Sequence, residues 1–378
     1  MAKSLKKILI IQQAPDWGGA EEWMNNLVNI FIQKNISIIG YTNLEKLRKL
    51  WEKSGAETYN IPYILDIIGN IKGFIKSIFY SPFAICFYLQ ILSKAKNDKV
   101  DLILMSGFSE KLLVTWLAKF FNLSVVWFEY GPLQYVFKKN FYIPKFLYNL
   151  TCHLPIKIFT ISQHTKKNLL QHSKISSKKI KLIYPGVYIP IKTSFINKPI
   201  VGCLSRLAPE KGQRLLIQAW PKVVQAVPRA KLKIAGSGSE VVYLKKLAKK
   251  LNLSNSIEFL GFIKNKKKFY KSLAVFVFPS IWNMEGFGIV AAEALAYAKP
   301  VIAFNSGPSP EIINNSVGRL VNSQNIDQLA KEIISLLKNY SQRKKLSSNT
   351  QLKASKQFNF LHQADKIISN LHEIIKTI

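Results

Sequence analysis

Two glutamates, Glu285 and Glu293, bracket the stretch EGFGIVAAE, with Gly286 and Gly288 packed between them. Folding alone does not ask for this arrangement. A helix start ordinarily takes Ser, Thr, Asp or Asn as its cap, and a glycine inside a helix costs about 1 kcal/mol relative to alanine. The loss makes sense if bare backbone must admit a ligand. With a helix beginning near Gly286, the first free N–H groups and the positive end of the helix dipole face the loop, where a diphosphate can approach. Arg206 and Lys211 suit the same ligand, lying five residues apart in SRLAPEKG across a turn marked by Pro209 and Gly212. The chain has only six arginines, and arginine is the side chain that grips phosphate through a planar fork. Gly18 and Gly19 open another helix in PDWGGAEEW, and Gly236 and Gly238 leave the backbone bare in AGSGSE. Paired carboxylates also serve glycoside hydrolysis, but a hydrolase has no use for this helix start or for the Arg/Lys loop. No GxGxxG run occurs, so a nicotinamide cofactor has no support.

The elements that must position these groups are legible as apolar runs. KILIIQQ, SIIGYT, VDLILMS, SVVWFEY and KIFTIS follow one another in the first half, each separated by a helical pattern. PIVGCLSRL, AKLKIAGSG, SIEFLGF, VFVFPS, PVIAF and GRLV repeat the scheme in the second. Continuous Ile/Val/Leu runs alternating with helices predict parallel sheets covered on both faces, hence an α/β protein of two doubly wound domains. Ligands in such folds bind at the carboxyl ends of strands, and each group named above follows a strand. The joint is expected within YPGVYIPIKTSFINKP. This gives an N-terminal domain over 1–188, a C-terminal domain over 189–355, and a terminal helix over 356–378 available to pack back on the first.

A chain of 378 residues, 48% hydrophobic and 20% charged, is globular and long enough for two cores. Three scattered cysteines fit a reducing compartment and neither a disulfide framework nor a zinc site. The basic N-terminus leads into ILII, too short for a signal sequence and better read as a first strand. The formal charge of +33 comes almost wholly from lysine. That profile fits AT-rich coding as readily as attraction to an anionic membrane. Nucleic-acid binding would also use the charge, but no basic and aromatic stretch forms a recognised module. The segment 67–93 is apolar but interrupted by Lys72, Lys76, Pro82 and Gln90, so a buried or interface-lying helix is expected rather than a span. On a membrane surface, Phe74, Ile78, Phe79 and Phe83 would be its apolar contacts.

The motifs together resemble those of GT-B glycosyltransferases of family GT4, the retaining, sugar-nucleotide-dependent kind. EGFGIVAAE is similar to that family's E-x7-E signature, GGAEEW to its N-terminal glycine loop, SRLAPEKG to its Arg/Lys motif and AGSGSE to its GxG loop. IEFLGFI looks like the strand and loop that hold the nucleotide base, and the resemblance runs over nearly the whole chain. It implies a GT-B fold, two Rossmann-like domains facing across a cleft. It implies that Arg206 and Lys211 stabilise the departing diphosphate and that Glu285 meets the donor sugar. Glu293 would then hold the ribose, with Gly286, Phe287, Gly288, Ile289 and Val290 around the phosphates and Phe262 near the base. Gly18, Gly19, Gly236 and Gly238 would line the donor site. The donor would be UDP- or GDP-linked, the acceptor a glycan or lipid-linked sugar of a cell-surface polysaccharide, and the place the cytoplasm or the inner face of the membrane. No Asp-x-Asp occurs, so no metal or other cofactor is expected. The family's usual histidine after the fourth N-domain strand is absent, which leaves Glu129 and Tyr130 as candidate acceptor or sugar contacts. A sugar-nucleotide epimerase and a donor-binding inactive homologue stay open beside the transferase.

Overall fold

The computed structural model describes residues 4–377; Met1–Lys3, part of the basic N-terminal stretch, and Ile378 lie outside the described residues. The chain divides into two compact units. One runs to Tyr184 and resumes at Gln363, and the other spans Pro185 to His362.

The first unit is a seven-stranded parallel sheet built from β1 (Lys7–Gln12), β2 (Ser37–Thr42), β3 (Glu57–Asn60), β4 (Leu102–Met105), β5 (Val125–Glu129), β6 (Lys157–Thr160) and β7 (Ile180–Leu182). Their order is β3-β2-β1-β4-β5-β6-β7. The central strands are buried along their length, as strands covered on both faces must be: Ile8 to Ile11 and Leu102 to Met105 have almost no exposed surface. The helix Gly19–Gln33 lays Trp23, Leu27 and Phe31 on the sheet, a stripe at four-residue spacing. The longest helix, Ile71–Asn97, starts where Asn70 accepts a hydrogen bond from the Gly73 N–H at 2.9 Å and carries Pro82 inside it. The last helix, Phe360–Lys376, joins this unit from Gln363 onward. There the Leu5 N–H donates to His372 Nδ1 at 3.4 Å, and Lys34 pairs with Asp365 at 3.3 Å.

The second unit is a six-stranded parallel sheet of β8 (Ile200–Leu204), β9 (Lys231–Ala235), β10 (Ile257–Gly261), β11 (Val275–Phe278), β12 (Val301–Phe304) and β13 (Gly318–Val321). The order is β10-β9-β8-β11-β12-β13, with β8 and β9 in register from Ile200 opposite Lys231 to Leu204 opposite Ala235. Chain direction along the sheet reverses between β8 and β11. In doubly wound sheets the loops on either side of such a switch point diverge and leave a crevice at the strands' carboxyl ends. The loop after β8 carries Arg206 and Lys211, and the loop after β11 carries Glu285.

Candidate active site

The switch point of the second unit brings the charged groups together. Lys211 Nζ lies 2.6 Å from Glu285 Oε2, with both side chains more than four-fifths buried. The Ser280 hydroxyl donates to the same oxygen at 3.2 Å, and the Trp282 ring faces Lys211 Nζ at 4.5 Å from its centroid. The two loops are tied by backbone as well: the Ile281 N–H donates to the Glu210 carbonyl at 3.0 Å. Gln213, first in the helix Gln213–Ala226, fastens the other side by donating to Ser205 Oγ at 2.6 Å and to the Arg206 carbonyl at 3.0 Å. Lysine and carboxylate are thus held in one geometry before any ligand arrives, which is what preorganised charge requires. Arg206 is different. Its side chain is 60% exposed and bonded to Glu210 at 2.7 Å, a surface pair that costs little to exchange for another anion.

The second glutamate is equally fixed. Glu293 sits in the second turn of the helix Ile289–Ala296, whose cap residue Gly288 is left-handed at φ 88°. A non-glycine residue there would strain, and its Cβ would also press on the Phe278 ring at 3.0 Å. The Tyr270 hydroxyl donates to Glu293 Oε2 at 2.8 Å, and Lys266 Nζ lies 3.1 Å from Oε1. Tyr270 is itself buried and stacked on Tyr297, centroids 5.2 Å apart. Burial and the Glu293 charge push the Tyr297 hydroxyl up from its usual pKa. Lys266 and Tyr270 escape sequence reasoning because NKKKFYK looks like one more lysine-rich surface turn.

Other expected residues fall around this core in different ways. Gly236 and Gly238 approach neighbouring backbone: a Cβ on Gly236 would sit 1.9 Å from the Ser205 carbonyl oxygen, and one on Gly238 2.2 Å from that of Leu207. The GxG loop therefore braces the Arg206 loop. Phe262 stands 71% exposed just past β10. Phe287 is buried, its ring edge-on to Phe358 at 5.4 Å, so the side chain serves packing and only its backbone is left for the loop. Gly286, Ile289 and Val290 keep partial exposure at the helix start. Among the described residues, no three His, Cys, Asp or Glu side chains converge as a metal site requires.

In the first unit, Gly18 and Gly19 follow β1 and open their helix, with the Gly18 N–H donating to Glu21 Oε2 at 2.9 Å. Glu129 departs from the sequence expectation. Instead of facing an acceptor, its carboxylate is enclosed with Lys111 at 2.7 Å, both side chains at most 3% exposed, and it accepts a bond from the Tyr148 hydroxyl at 3.1 Å. A carboxylate at the end of a buried strand needs such a partner, and Lys111 supplies it from the helix Phe108–Phe120. Tyr130 departs likewise: its hydroxyl is enclosed near Ser106 and Glu21, its ring is edge-on to Trp23 at 5.9 Å, and burial raises its pKa well above the usual range.

Comparison with known proteins agrees with the motif reading. Residues 189–353 match the family described as glycosyl transferases group 1. Over 146 residues the chain is 38% identical to a GDP-mannose-dependent monoacylated alpha-(1-6)-phosphatidylinositol monomannoside mannosyltransferase of Corynebacterium glutamicum, covering 37% of this chain and 38% of that one. The chain spans between about two fifths and just over half of the first curated relatives it matches. Among solved structures, a Rickettsia africae glycosyltransferase has a TM-score of 0.83 at 22% identity, covering 99% of each chain. HepE of Anabaena in complex with UDP has a TM-score of 0.82 at 20% identity, covering 97% of this chain and 100% of that one. The fold is GT-B.

Proposed function

We propose that the protein is a retaining glycosyltransferase that moves a hexose from a nucleoside-diphosphate sugar to a glycan or lipid-linked acceptor in cell-surface polysaccharide assembly. One observation carries the reading: Lys211 and Glu285 meet at the switch point of the second unit, and the Gly288-capped helix that carries Glu293 starts from the same loop after β11. The diphosphate lies against the helix start, and Arg206 and Lys211 offset the negative charge that grows on it as the bond to the sugar's anomeric carbon breaks. With Lys211 turned to phosphate, Glu285 accepts bonds from the donor sugar hydroxyls. Glu293, oriented by Tyr270, accepts bonds from the ribose hydroxyls. Basic side chains and the helix dipole do the work of a divalent metal, so transfer needs none.

The relatives support a nucleotide-linked donor without agreeing on the base: the Corynebacterium enzyme is named for GDP-mannose, and HepE was solved with UDP. The experiment is transfer from labelled UDP- and GDP-hexoses to membrane glycolipid or oligosaccharide acceptors, with and without EDTA. Acceptor-dependent product that persists in EDTA supports the proposal. Abolition by EDTA with rescue by manganese removes the metal-free mechanism. Altered sugar nucleotide in the absence of acceptor indicates an epimerase.

A further inference from the structure

The helix Ile71–Asn97 is apolar on both sides. Its inner face sends Ala84, Tyr88 and Leu92 into the core of the first unit. An ordinary surface helix turns charge outward. This one turns out Ile78, Phe79 and Phe83, exposed by 57, 72 and 58%. A second element adds to the same kind of surface. Asn140, Phe141 and Tyr142 hold φ values of 45, 56 and 63° in succession. Each such non-glycine residue costs about 1–2 kcal/mol. The run stands Phe141 out at 87% exposure and Tyr142 at 55%, and leads into the helix Ile143–Thr151, where Phe146 is 63% exposed. Asn140 Nδ2 donates to the Ile67 carbonyl at 2.8 Å, which fastens this projection beside the start of the long helix.

Charge on the two elements themselves is positive, although the Asp66 carboxylate lies against the first turn of the long helix at Gly73 and Glu57 pairs with Lys94 near its other end. No Asp or Glu occurs between Asp66 and Asp98, nor between Glu129 and Glu210. Lys72, Lys76, Lys138 and Lys139 are all exposed beside the apolar side chains. Monomeric soluble proteins rarely leave large apolar side chains in such a group, and aromatic rings flanked by lysines match the layered chemistry of a bilayer surface, apolar within and phosphate without. We propose that this face docks on the surface of an anionic lipid bilayer, with the aromatic rings at the headgroup boundary and the lysines against lipid phosphates. The long helix is apolar enough to cross a membrane by length and composition. Its inner face is committed to the core, so it lies on the bilayer. The docking face uses no residue of the donor site and stands or falls apart from the transferase reading.

The test is co-sedimentation of the full chain with phosphatidylglycerol-containing vesicles and with neutral phosphatidylcholine vesicles. Phe79→Ser with Phe83→Ser, Phe141→Ser with Tyr142→Ser, and Lys138→Gln with Lys139→Gln are compared with wild type. Wild type should bind anionic vesicles at least about tenfold more tightly than neutral ones, and each pair should weaken that binding by roughly tenfold. Thermal melting followed by circular dichroism on the same samples reports whether each variant is folded. Equal binding to both vesicle types, or pairs that bind like wild type, overturns the proposal. So does a wild-type dimer in sedimentation velocity that the aromatic pairs abolish, because the face is then a contact between copies. Resistance to carbonate extraction overturns it in favour of a span.

Discussion

Gly212 and Gly261 offer a matched pair for testing how the Lys211 loop is held. Both are left-handed, at φ 69° and 63°, so alanine at either position costs about 1–2 kcal/mol of backbone strain. Their surroundings differ. A Cβ at Gly261 meets nothing within 4 Å, whereas one at Gly212 falls 1.9 Å from the Pro279 carbonyl oxygen, well inside the 3.4 Å where ordinary contact begins. Gly212→Ala must therefore push the loop after β8 away from the loop after β11 by more than 1 Å, adding about 1–3 kcal/mol of overpacking. A unit of this size loses about 2–4 °C of melting temperature per kcal/mol. Gly261→Ala should melt about 2–8 °C below wild type, and Gly212→Ala about twice as far. The displaced contact is the one that sets Lys211 at 2.6 Å from Glu285, and misplacing such a group by about 1 Å costs on the order of a hundredfold in rate. Thermal melting and sugar-transfer assays on both variants decide the matter. Equal melting temperatures and equal turnover would refute the claim that the two loops hold each other in place.

Three further outcomes follow from named contacts. Arg206→Ala should leave melting unchanged, since the side chain is exposed and singly paired, yet lower turnover by about 10²–10³-fold as a lost charge-stabilising donor does. Glu129→Ala strands the buried Lys111 and should destabilise the first unit by about 3–5 kcal/mol in urea unfolding, a loss that an acceptor contact at the surface would not give. Glu110 is buried, accepts from the Gln13 N–H at 3.0 Å, and burial pushes it up to about 7. Because its folded pKa lies above the unfolded one, its contribution is fully present below about pH 4.5 and is lost as pH rises through about 7. Wild type should lose more stability between these limits than Glu110→Gln, as measured by urea midpoints across pH.

The sequence carried the parts of this site that lie at strand ends. That SRLAPEKG and EGFGIVAAE each follow a strand was legible because continuous apolar runs locate β8 and β11. Partnerships across the chain were not legible. Lys111 belongs to a helix that reads as ordinary amphipathic surface, and its partner Glu129 lies on another element. The same holds for Lys266 and Glu293, since spacing within one element says nothing of which lysine reaches which carboxylate. The glycines of AGSGSE read as ligand access, and the close approach of the Ser205 and Leu207 backbone to them was not legible, because sequence shows that room is needed but not what fills it. Phe141 and Tyr142 were invisible for a related reason: three successive left-handed residues at Asn140, Phe141 and Tyr142 contradict local propensity.

The central claim is that Glu293 and its neighbours form a nucleotide site that works without metal. The measurement is calorimetric titration of UDP and GDP into wild type and Glu293→Ala, each with and without EDTA. The account predicts that one of the two nucleotides binds wild type with micromolar affinity, about −8 kcal/mol, unaltered by EDTA. It predicts a loss of roughly tenfold to a hundredfold in the variant, the worth of hydrogen bonds to a charged acceptor. Unchanged affinity in Glu293→Ala, or binding that vanishes with EDTA, would contradict it.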